Sequence, residues 1–507
     1  MRESENCYDV IVIGGGGSGL AAAASAAEHG ARALVLEKQA QLGGATALAV
    51  GSFTTSETAF QKKAGIKDSV DDHVEDAAQF APPELEARNA TALREFLIRN
   101  SRETLEWLTG MGLTFHGPTP EPPNRQPRMH NVVPGARAYV LALAKRLKQR
   151  GGKVLCSACV EELVQESGRI VGVKVTVDGD TQEFRARCGV VLAAGDYASS
   201  SEMIARYKGP EFSDIEGIYP FAHGDGHRLS ESVGAKLINM DVTYGPELRF
   251  VPPRKLTLLK RLPAGGFMRT LMGKMMPFAP KFIMNAIIKR ELVTWQHPED
   301  AIFSAGAIMV NTNGDRFCNE QVSPEREIAI SRQPEKIGYI LLDQRLIERY
   351  SAWPDFISTA PEIAYAYVED YLRLRPDVAI KGESLEAIAS ARGIPADRLR
   401  DSVAAYNRYI QGETADPFQR EGDSHLLEGA HWVLLGPAKA YFTITEGSPA
   451  INENLEVLNE AGVPIPGLYA AGQNGLGGQI LWGHGLHIAW AITSGRLAGK
   501  ALAEAKH

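Results

Sequence analysis

A glycine-rich turn between a β-branched run and an alanine-rich run constrains the fold more than any other feature of the chain. Residues 10–13 read Val-Ile-Val-Ile, a Gly-x-Gly-x-x-Gly pattern follows at Gly14, Gly16 and Gly19, and the run LAAAASAAEHG comes next. A strand, a tight glycine turn and a helix in this order predict the first βαβ unit of a dinucleotide-binding domain. The apolar run ARALVLEK supplies the next strand and ends at Glu37-Lys38. The chain is therefore predicted to adopt an α/β fold with a parallel sheet.

Each glycine of the turn has its own predicted task. Gly14 permits the tight turn, Gly16 lets the backbone approach a pyrophosphate, and Gly19 lets the helix pack on the strand. Ser18 lies in the same turn, at the helix N-terminus that faces the phosphates. Glu37 is predicted to accept the hydroxyls of an adenosine ribose.

Other glycine-rich segments are predicted to pass close to the same cofactor. The segment LGGAT follows Glu37, and NAD enzymes do not need such an element, so the dinucleotide is predicted to be FAD. Near the C-terminus, GLYAAGQ repeats the design of a strand followed by glycine. The predicted cofactor contacts outside the first turn are Lys38, Gly44, Ala45, Thr46, Val160, Ala194, Gly195, Gly472, Gln473, Leu486, His487 and Ile488.

The chain is long enough for more than one core, and its character changes along its length. From about residue 246 prolines, methionines and basic residues become frequent, and the dinucleotide-type pattern returns only near the C-terminus. We expect a discontinuous Rossmann-like FAD-binding domain formed by 1–245 and 438–507. Residues 246–437 are expected to form an inserted α+β cap domain.

Charge and cysteine content exclude several classes of function. The net charge of −7 argues against nucleic acid as a partner. The five cysteines are few and scattered, which predicts a reducing compartment and a cytoplasmic protein. Cys156 and Cys159 lie in the apolar run KVLCSACV and are interpreted as buried strand cysteines, and no metal site is predicted. The N-terminus does not resemble a signal peptide, and no apolar run reaches the ~18 residues of a membrane span.

Five segments together carry a resemblance to a known family: GGGGSGLAAA, LEKQAQLGGAT, HGDGHRLSESVGA, GAIMVNTNGDRFCNE and IPGLYAAGQ. They resemble the fumarate reductase / succinate dehydrogenase flavoprotein and 3-ketosteroid dehydrogenase family. The resemblance implies bound FAD, a cap over the flavin, and hydride transfer between flavin N5 and a carbon β to a carbonyl. Covalent attachment in this family needs a histidine after the first glycines, and GGATALAVGS has none, so the FAD is predicted to be non-covalent.

Departures from the family bear on the substrate. Fumarate-reducing members carry a histidine before Thr-Met-Gly-Gly and an arginine before the final Leu-Gly-Gly, and both grip substrate carboxylates. The matching positions are Ile444 and Trp482, so the charge that a dicarboxylate requires is absent. The pattern GHGLHI is instead similar to 3-ketosteroid dehydrogenases, whose glycine N–H at the position of Gly485 bonds the substrate ketone. Their tyrosine four residues earlier is Leu481 in this chain.

We therefore predict an FAD-dependent oxidoreductase acting on CH–CH groups that desaturates a cyclic, apolar ketone α,β to its carbonyl. The alternative is reduction of an activated C=C bond on an unsaturated acid or enone. The candidate catalytic residues are His484, Gly485, Arg326 and Tyr441. The Gly485 amide would stabilise a developing enolate or the charge at the N1/C2=O edge of reduced flavin. The expected partners are a small apolar carbonyl substrate and an external electron donor or acceptor.

Residues 252–293 form a basic, methionine-rich segment with lysines and arginines interleaved among apolar side chains. One interpretation is a peripheral membrane contact, a lid that skims the bilayer and admits an apolar substrate. The other is an ordinary amphipathic cap segment or a subunit contact. The sequence leaves both open, together with the substrate, the direction of reaction, the electron acceptor, the catalytic base and the oligomeric state.

Overall fold

The N-terminal strand β1 (Cys7–Ile13) lies inside an eight-stranded sheet, where Val10, Ile11 and Val12 are fully buried. The computed structural model describes residues 6–253, 289, 290, 292–294, 296–360, 364–422 and 425–505. The predicted membrane-skimming segment 252–293 lies almost entirely outside the described residues, so both of its interpretations stay predictions.

The first part of the chain supplies most of this sheet and the helices that cover it. In chain order its elements are β1 (Cys7–Ile13), α1 (Gly17–Glu28), β2 (Ala33–Leu36), β3 (Ser52–Thr54), α2 (Ala59–Lys63), α3 (Val70–Ala77), α4 (Pro83–Glu86), α5 (Thr91–Gly110), β4 (Thr114–Thr119), β5 (Met129–Val133), α6 (Arg137–Gln149), β6 (Lys153–Leu155), β7 (Ala158–Glu166), β8 (Arg169–Val177), β9 (Asp180–Leu192), α7 (Ser201–Tyr207), β10 (Glu216–Gly217), α8 (Asp225–Ser232), β11 (Leu237–Ile238) and β12 (Thr243–Tyr244).

The remaining elements form a second sheet with its helices and then return to the first sheet. They are β13 (Glu247–Phe250), α9 (Ala301–Ser304), β14 (Ile308–Val310), α10 (Glu325–Ser331), β15 (Gly338–Leu342), α11 (Gln344–Arg349), β16 (Ser358–Ala360), β17 (Ala364–Ala366), α12 (Val368–Leu374), β18 (Ala379–Gly382), α13 (Leu385–Arg392), α14 (Ala396–Ile410), β19 (Trp432–Phe442), β20 (Ile444–Thr445), β21 (Ser448–Pro449), β22 (Glu456–Leu458), β23 (Pro464–Ala470) and α15 (Leu486–Glu504).

The first sheet runs in the order β22-β23-β9-β1-β2-β6, with β7 and β8 attached through β9. The pairs β23–β9, β9–β1, β1–β2 and β2–β6 are parallel. Their carboxyl ends therefore meet at one edge of the sheet, where open α/β folds bind their ligands. This architecture confirms the predicted α/β fold.

The first and last helices pack backbone against backbone. A Cβ at Gly495 of α15 would overlap the carbonyl oxygen of Ser18, and one at Gly499 would overlap that of Ala22 in α1. Any side chain at these two positions would separate the helices. The glycines thus bring the middle of α15 against the first turns of α1, beside the glycine-rich turn.

The second sheet is built around β19, which pairs with β10, β13, β15 and β18. Its core is a cluster of buried apolar side chains drawn from Leu248 to Ala438. β19 spans the expected domain boundary between residues 437 and 438, and its last residues pair with β10 from the first part of the chain. The boundaries of the cap domain therefore stay a prediction.

The interpretation of KVLCSACV as one strand is wrong. Cys156 lies in a turn between β6 and β7, because Ser157 adopts a positive φ of 54° that interrupts the extended backbone. Cys159 lies in β7, and both thiols are only half-buried. Burial nevertheless raises the pKa of Cys156 and raises that of Cys159 to about 11.

Among the residues described, no helix has the length and apolarity to cross a bilayer.

Candidate cofactor and substrate site

The glycine-rich turn after β1 has the geometry expected for a pyrophosphate. A Cβ at Gly14 would overlap the Ala193 carbonyl, and a Cβ at Gly19 would overlap the Gly14 carbonyl, so both glycines are needed for packing. A Cβ at Gly16 would meet no atom closer than 3.9 Å, so the protein itself does not require glycine there. The N-cap residue of α1, Gly16, has no side chain to cap the helix. Among the described residues only the Gly17 N–H of the first turn has a side-chain acceptor, so the N–H groups of Ser18 and Gly19 remain for a ligand.

The LGGAT segment crosses this turn. The Gly43 N–H donates to the Gly15 carbonyl at 3.0 Å, and the Thr46 hydroxyl accepts from the Gly17 N–H at 3.1 Å. A Cβ at Gly44 would approach the Gly16 Cα to 3.3 Å. Gly44 and Thr46 therefore lie beside the predicted pyrophosphate site.

Glu37 lies at the carboxyl end of β2 and is almost fully buried. Its Oε2 accepts from the Gly15 N–H at 2.7 Å, and its Oε1 accepts from the Gln39 N–H at 2.7 Å. A carboxylate can accept about four hydrogen bonds, so capacity remains for ribose hydroxyls. Lys38 forms an ion pair of 2.5 Å with Asp225 at the start of α8.

The C-terminal segment reaches the same turn. A Cβ at Gly472 would lie 2.6 Å from the Ser18 hydroxyl. The Gln473 side-chain amide donates to the Thr445 carbonyl at 3.2 Å, while its Oε1 is buried and has no partner within the described part of the chain. The Ala194 N–H donates to the Asn474 side chain at 2.7 Å. Asn474 is a site residue that the sequence did not reveal.

The other predicted cofactor residues lie in or after strands of the first sheet, or in the first turn of the last helix. They are Ala45 in the turn after β2, Val160 in β7, Gly195 after β9, and Leu486, His487 and Ile488 in the first turn of α15.

These groups fit FAD. A helix N-terminus suits the anionic pyrophosphate, the buried Glu37 carboxylate suits ribose hydroxyls, and the unpartnered Gln473 Oε1 can accept from a hydroxyl or ring N–H. That these residues contact the cofactor stays a prediction.

His484 lies just before α15 and is held by a residue distant in sequence. Its Nδ1 is 2.6 Å from Glu121 Oε1, and the same oxygen accepts from the His484 backbone N–H at 2.6 Å. The Thr54 hydroxyl donates to the His484 carbonyl at 2.6 Å. The hydrogen bond to Glu121 raises the pKa of His484, although 63% of the imidazole is exposed. Nε2 is therefore the nitrogen available to a substrate.

Tyr244, Trp482 and Ile444 form an aromatic corner, and Trp482 comes two residues before His484 in the chain. The Trp482 and Tyr244 rings meet edge to face with centroids 5.2 Å apart. Tyr244 is the register partner of Ile444 in the β12–β20 pair. The two positions at which fumarate-reducing members carry charge thus lie around one tyrosine. The Trp482 indole N–H is buried and has no partner among the residues described.

A second histidine, His487, meets a buried carboxylate. Its Nε2 lies 3.1 Å from each oxygen of Glu446, which is fully buried. Asp196, two residues after Ala194, accepts from the Thr445 N–H at 3.2 Å. Burial raises the pKa of Asp196 to about 6. Neither carboxylate was identified from the sequence.

The other two catalytic candidates, Tyr441 and Arg326, differ in their surroundings. Tyr441 is the register partner of Glu247, whose carboxylate accepts from Arg249 at 2.6 Å, and the charges of this pair act on His484. Burial raises the pKa of Tyr441 to about 12. The buried Arg326 side chain instead pairs with Glu327 at 2.5 Å and with two further groups of the cap. Those are the Asp300 carboxylate at 2.8 Å and the Glu320 carbonyl at 3.0 Å. These contacts give Arg326 a packing role, and its catalytic role stays a prediction.

Comparisons with known proteins agree with this geometry. Residues 9–479 match the family model described as FAD binding domain. The urocanate reductase of Eggerthella lenta is 29% identical over 484 residues, which cover 92% of this chain and 69% of that protein. The open conformation of a flavocytochrome c3 fumarate reductase aligns with a TM-score of 0.72 at 23% identity, covering 99% of this chain and 78% of that one. A 3-ketosteroid Δ1-dehydrogenase from Sterolibacterium denitrificans aligns with a TM-score of 0.62 at 20% identity, covering 98% and 100%. The resemblance drawn from the motifs is confirmed.

Proposed function

The chain belongs to the FAD binding domain family, and we propose that this FAD-dependent oxidoreductase acts on the CH–CH bond next to the carbonyl of a cyclic, apolar ketone. Membership confirms the predicted cofactor, while its non-covalent attachment stays a prediction. The observation that carries the proposal is the aromatic corner of Tyr244, Trp482 and Ile444.

The aromatic corner favours a flat, uncharged ring over a carboxylate. Ionised carboxylates are stabilised by charge-assisted hydrogen bonds, each worth ~1.5–3 kcal/mol. At the corner a carboxylate would meet an indole, a phenol ring and an isoleucine. An apolar ring would instead bury its surface against the aromatic side chains of Trp482 and Tyr244.

His484 is suited to polarise the substrate carbonyl. Because Nδ1 is engaged with Glu121, the proton on Nε2 is the one that can be donated to a carbonyl or enolate oxygen. The hydrogen bond to Glu121 raises the pKa of His484, which favours this donor form. Bound FAD supplies the hydride acceptor or donor at N5. The Gly485 amide at the start of α15 adds a second donor towards developing negative charge.

A second candidate is reduction of an activated C=C bond on an unsaturated acid or enone. It is favoured by the names of two similar proteins, a urocanate reductase and a fumarate reductase. The cation of Arg249 near His484 also favours it, although Glu247 already occupies that guanidinium.

Anaerobic mixing separates the two candidates. Oxidised enzyme without NAD(P)H should lose its flavin absorbance on addition of a saturated cyclic ketone, which only the first candidate predicts. Dithionite-reduced enzyme should be reoxidised by the matching cyclic enone under either candidate. Reoxidation by unsaturated acids alone would favour the second candidate.

Two tryptophan variants test whether the aromatic corner contributes to binding of the cyclic enone. An edge-to-face aromatic contact is worth ~0.5–1.5 kcal/mol, so Trp482→Ala should weaken binding of the cyclic enone by roughly 2- to 10-fold. Trp353→Ala is the matched control, because Trp353 is 65% exposed in the cap. Equal effects of the two variants would remove the support from the aromatic corner.

The remaining partners rest on the same proposal. We propose an external electron donor or acceptor and a small substrate. The peripheral membrane contact and the cytoplasmic location stay predictions.

A further inference from the structure

We propose that Asn124 is a positioning residue, which connects the buried Arg128 to Glu121 and thereby fixes the orientation of the Glu121–His484 pair. The inference deepens the function proposed above, because it rests on His484 as the group that faces the substrate carbonyl. A continuous chain of hydrogen bonds carries it.

Glu121 is held at both of its carboxylate oxygens. Its Oε1 lies 2.6 Å from His484 Nδ1 and accepts from the His484 backbone N–H at 2.6 Å. Its Oε2 accepts from the Asn124 side-chain amide at 3.4 Å, and its backbone carbonyl accepts from the Asn124 N–H at 3.0 Å. Glu121 is only 9% exposed, so these protein groups, and not bulk water, orient its carboxylate.

Arg128 determines which way the Asn124 amide faces. Asn124 Oδ1 accepts from Arg128 Nη1 at 2.9 Å. A guanidinium only donates hydrogen bonds, so the amide oxygen must face Arg128 and the NH2 group is turned to Glu121. The reversed amide would set donor against donor at Arg128 and acceptor against acceptor at Glu121. Arg128 thus selects the orientation in which Asn124 donates to Glu121.

Arg128 is itself fixed by two buried carboxylates. Its side chain and those of Asp68 and Asp76 are at most 1% exposed. Nε and Nη2 donate to the two oxygens of Asp68 at 2.8 and 2.7 Å, and Nη1 donates to Asp76 at 2.5 Å. Burial alone would raise the pKa of each carboxyl, but hydrogen bonds from Arg128 hold it below its usual value. Both carboxylates therefore stay ionised at neutral pH, and the guanidinium keeps its place.

The loop between β4 and β5, residues 121–128, is anchored a second time at Asp76 in α3. Arg125 Nε donates to Asp76 Oδ1 at 2.7 Å, and the Arg125 backbone N–H donates to Asp76 Oδ2 at 2.9 Å. At the other end of the hydrogen-bond chain, 63% of the His484 side chain is exposed. An exposed imidazole has few packing contacts to set its ring orientation, so the anchored loop supplies that orientation through Glu121.

The charges that act on His484 come from three residues. The hydrogen bond to Glu121 raises the pKa of His484, Glu247 raises it further, and Arg249 lowers it. Loss of the Asn124 amide releases Glu121 Oε2, while Glu247 and Arg249 stay hydrogen-bonded to each other at 2.6 Å. A carboxylate that spends less time on Nδ1 stabilises the imidazolium less. The pKa of His484 should therefore fall in Asn124→Ala, and fall further in Glu121→Gln.

NMR titration of the His484 imidazole in the FAD-loaded protein measures this effect without a substrate, and His484→Gln identifies the resonance. Asn124→Ala should lower the midpoint by at least ~0.3 pH unit, a twofold change in proton affinity. In a Glu121→Gln background the same change should move it by less than ~0.1 unit, because no carboxylate remains to be positioned. Gln126→Ala is the matched control, since Gln126 is half-buried in the same loop, and it should leave the midpoint unchanged.

The two backgrounds separate positioning from a general loosening of the loop, which would act in both. FAD content and thermal unfolding show whether each variant is folded, and Asn124→Leu, which keeps the volume but lacks both hydrogen-bonding atoms, should repeat the alanine result. The proposal is overturned if the midpoint of His484 is unchanged in the folded Asn124 variants, or if it shifts equally in both backgrounds.

The pH profile of cyclic enone turnover tests the proposed function separately. The fall in turnover at high pH should move with the His484 midpoint in Asn124→Ala. A shifted titration with an unmoved turnover profile would leave Asn124 as the residue that positions Glu121, and would count against His484 as the donor to the substrate carbonyl.

Discussion

The substitution Gly485→Ala tests how the last helix is fixed at the site. Gly485 has a φ of +82°, and a Cβ there would lie 2.7 Å from the Thr54 hydroxyl and 3.0 Å from the Thr54 nitrogen and the Ser52 carbonyl carbon. The backbone of β3 therefore occupies the space that a side chain needs. Gly393 supplies the control, because its φ is +71° and a Cβ there would have nothing within 4 Å.

The two variants separate backbone strain from steric overlap. Left-handed backbone costs an alanine ~1–2 kcal/mol, which applies to both positions. Overlap with well-packed neighbours adds ~1–3 kcal/mol at Gly485 only. The free energy of unfolding should thus fall by ~2–5 kcal/mol for Gly485→Ala and by ~1–2 kcal/mol for Gly393→Ala.

Urea unfolding with FAD bound measures both values, provided that the slope of the transition is unchanged. Titration of the apoprotein with FAD should also show weaker binding in Gly485→Ala, because the start of α15 must shift, and unchanged binding in Gly393→Ala. Equal losses of stability in the two variants would refute the reasoning, since they would show that β3 yields without cost.

Three further predictions follow from the site. Gly16→Val should give colourless protein, because its side chain would enter the space assigned to the pyrophosphate, and acid denaturation of the wild type should release all flavin into the supernatant; stoichiometric FAD in the variant or a yellow pellet would contradict these assignments. Fumarate and succinate should neither oxidise nor reduce the flavin at useful rates, since two lost charge-assisted bonds at ~1.5–3 kcal/mol each approach a thousandfold or more. Because Glu121 raises the pKa of His484, substrate turnover should persist at low pH and fall as pH rises through that elevated pKa; Glu121→Gln should move the fall to lower pH, and an unmoved profile would exclude His484 as the titrating group.

Local sequence was sufficient to predict the cofactor half of the fold. The β-branched strand, the glycine turn and the alanine helix are contiguous, so residues near Gly14 determine their own conformation and the parallel pairing that follows. The C-terminal repeat of this design predicted that both chain ends contact one cofactor, and the structure brings both ends to the same glycine-rich turn. In the structure, Gly472 packs on Ser18 of that turn.

The charged pairs could not be predicted in the same way. Glu121 reaches His484 across a separation of 363 residues, and its sequence surroundings, Pro-Glu-Pro-Pro, give no sign of a site. Glu446 lies in a segment where the family pattern indicated only that Ile444 stands in place of the histidine of fumarate-reducing members. Tertiary packing, and not local pattern, makes these carboxylates partners of histidines.

Arg326 shows that a matching residue type does not by itself predict the contacts of its side chain. Arg326 follows the pair Asn319-Glu320, two residues later than the acid arginine that the resemblance to fumarate reductases implies. Its side chain lies against Glu327 and Asp300 in the cap. A shift of two positions on a helix turns a side chain by about 200°, so residue type alone does not predict what such an arginine contacts.

A crystal structure of the FAD-loaded enzyme with a cyclic enone bound tests the central claim most directly. The account predicts the ring of the enone against Trp482 and Tyr244, with its carbonyl oxygen within hydrogen-bond distance of His484 Nε2 or the Gly485 amide. A ligand bound away from these aromatic rings, or one held by Arg249 through a carboxylate while cyclic enones fail to bind, would contradict it.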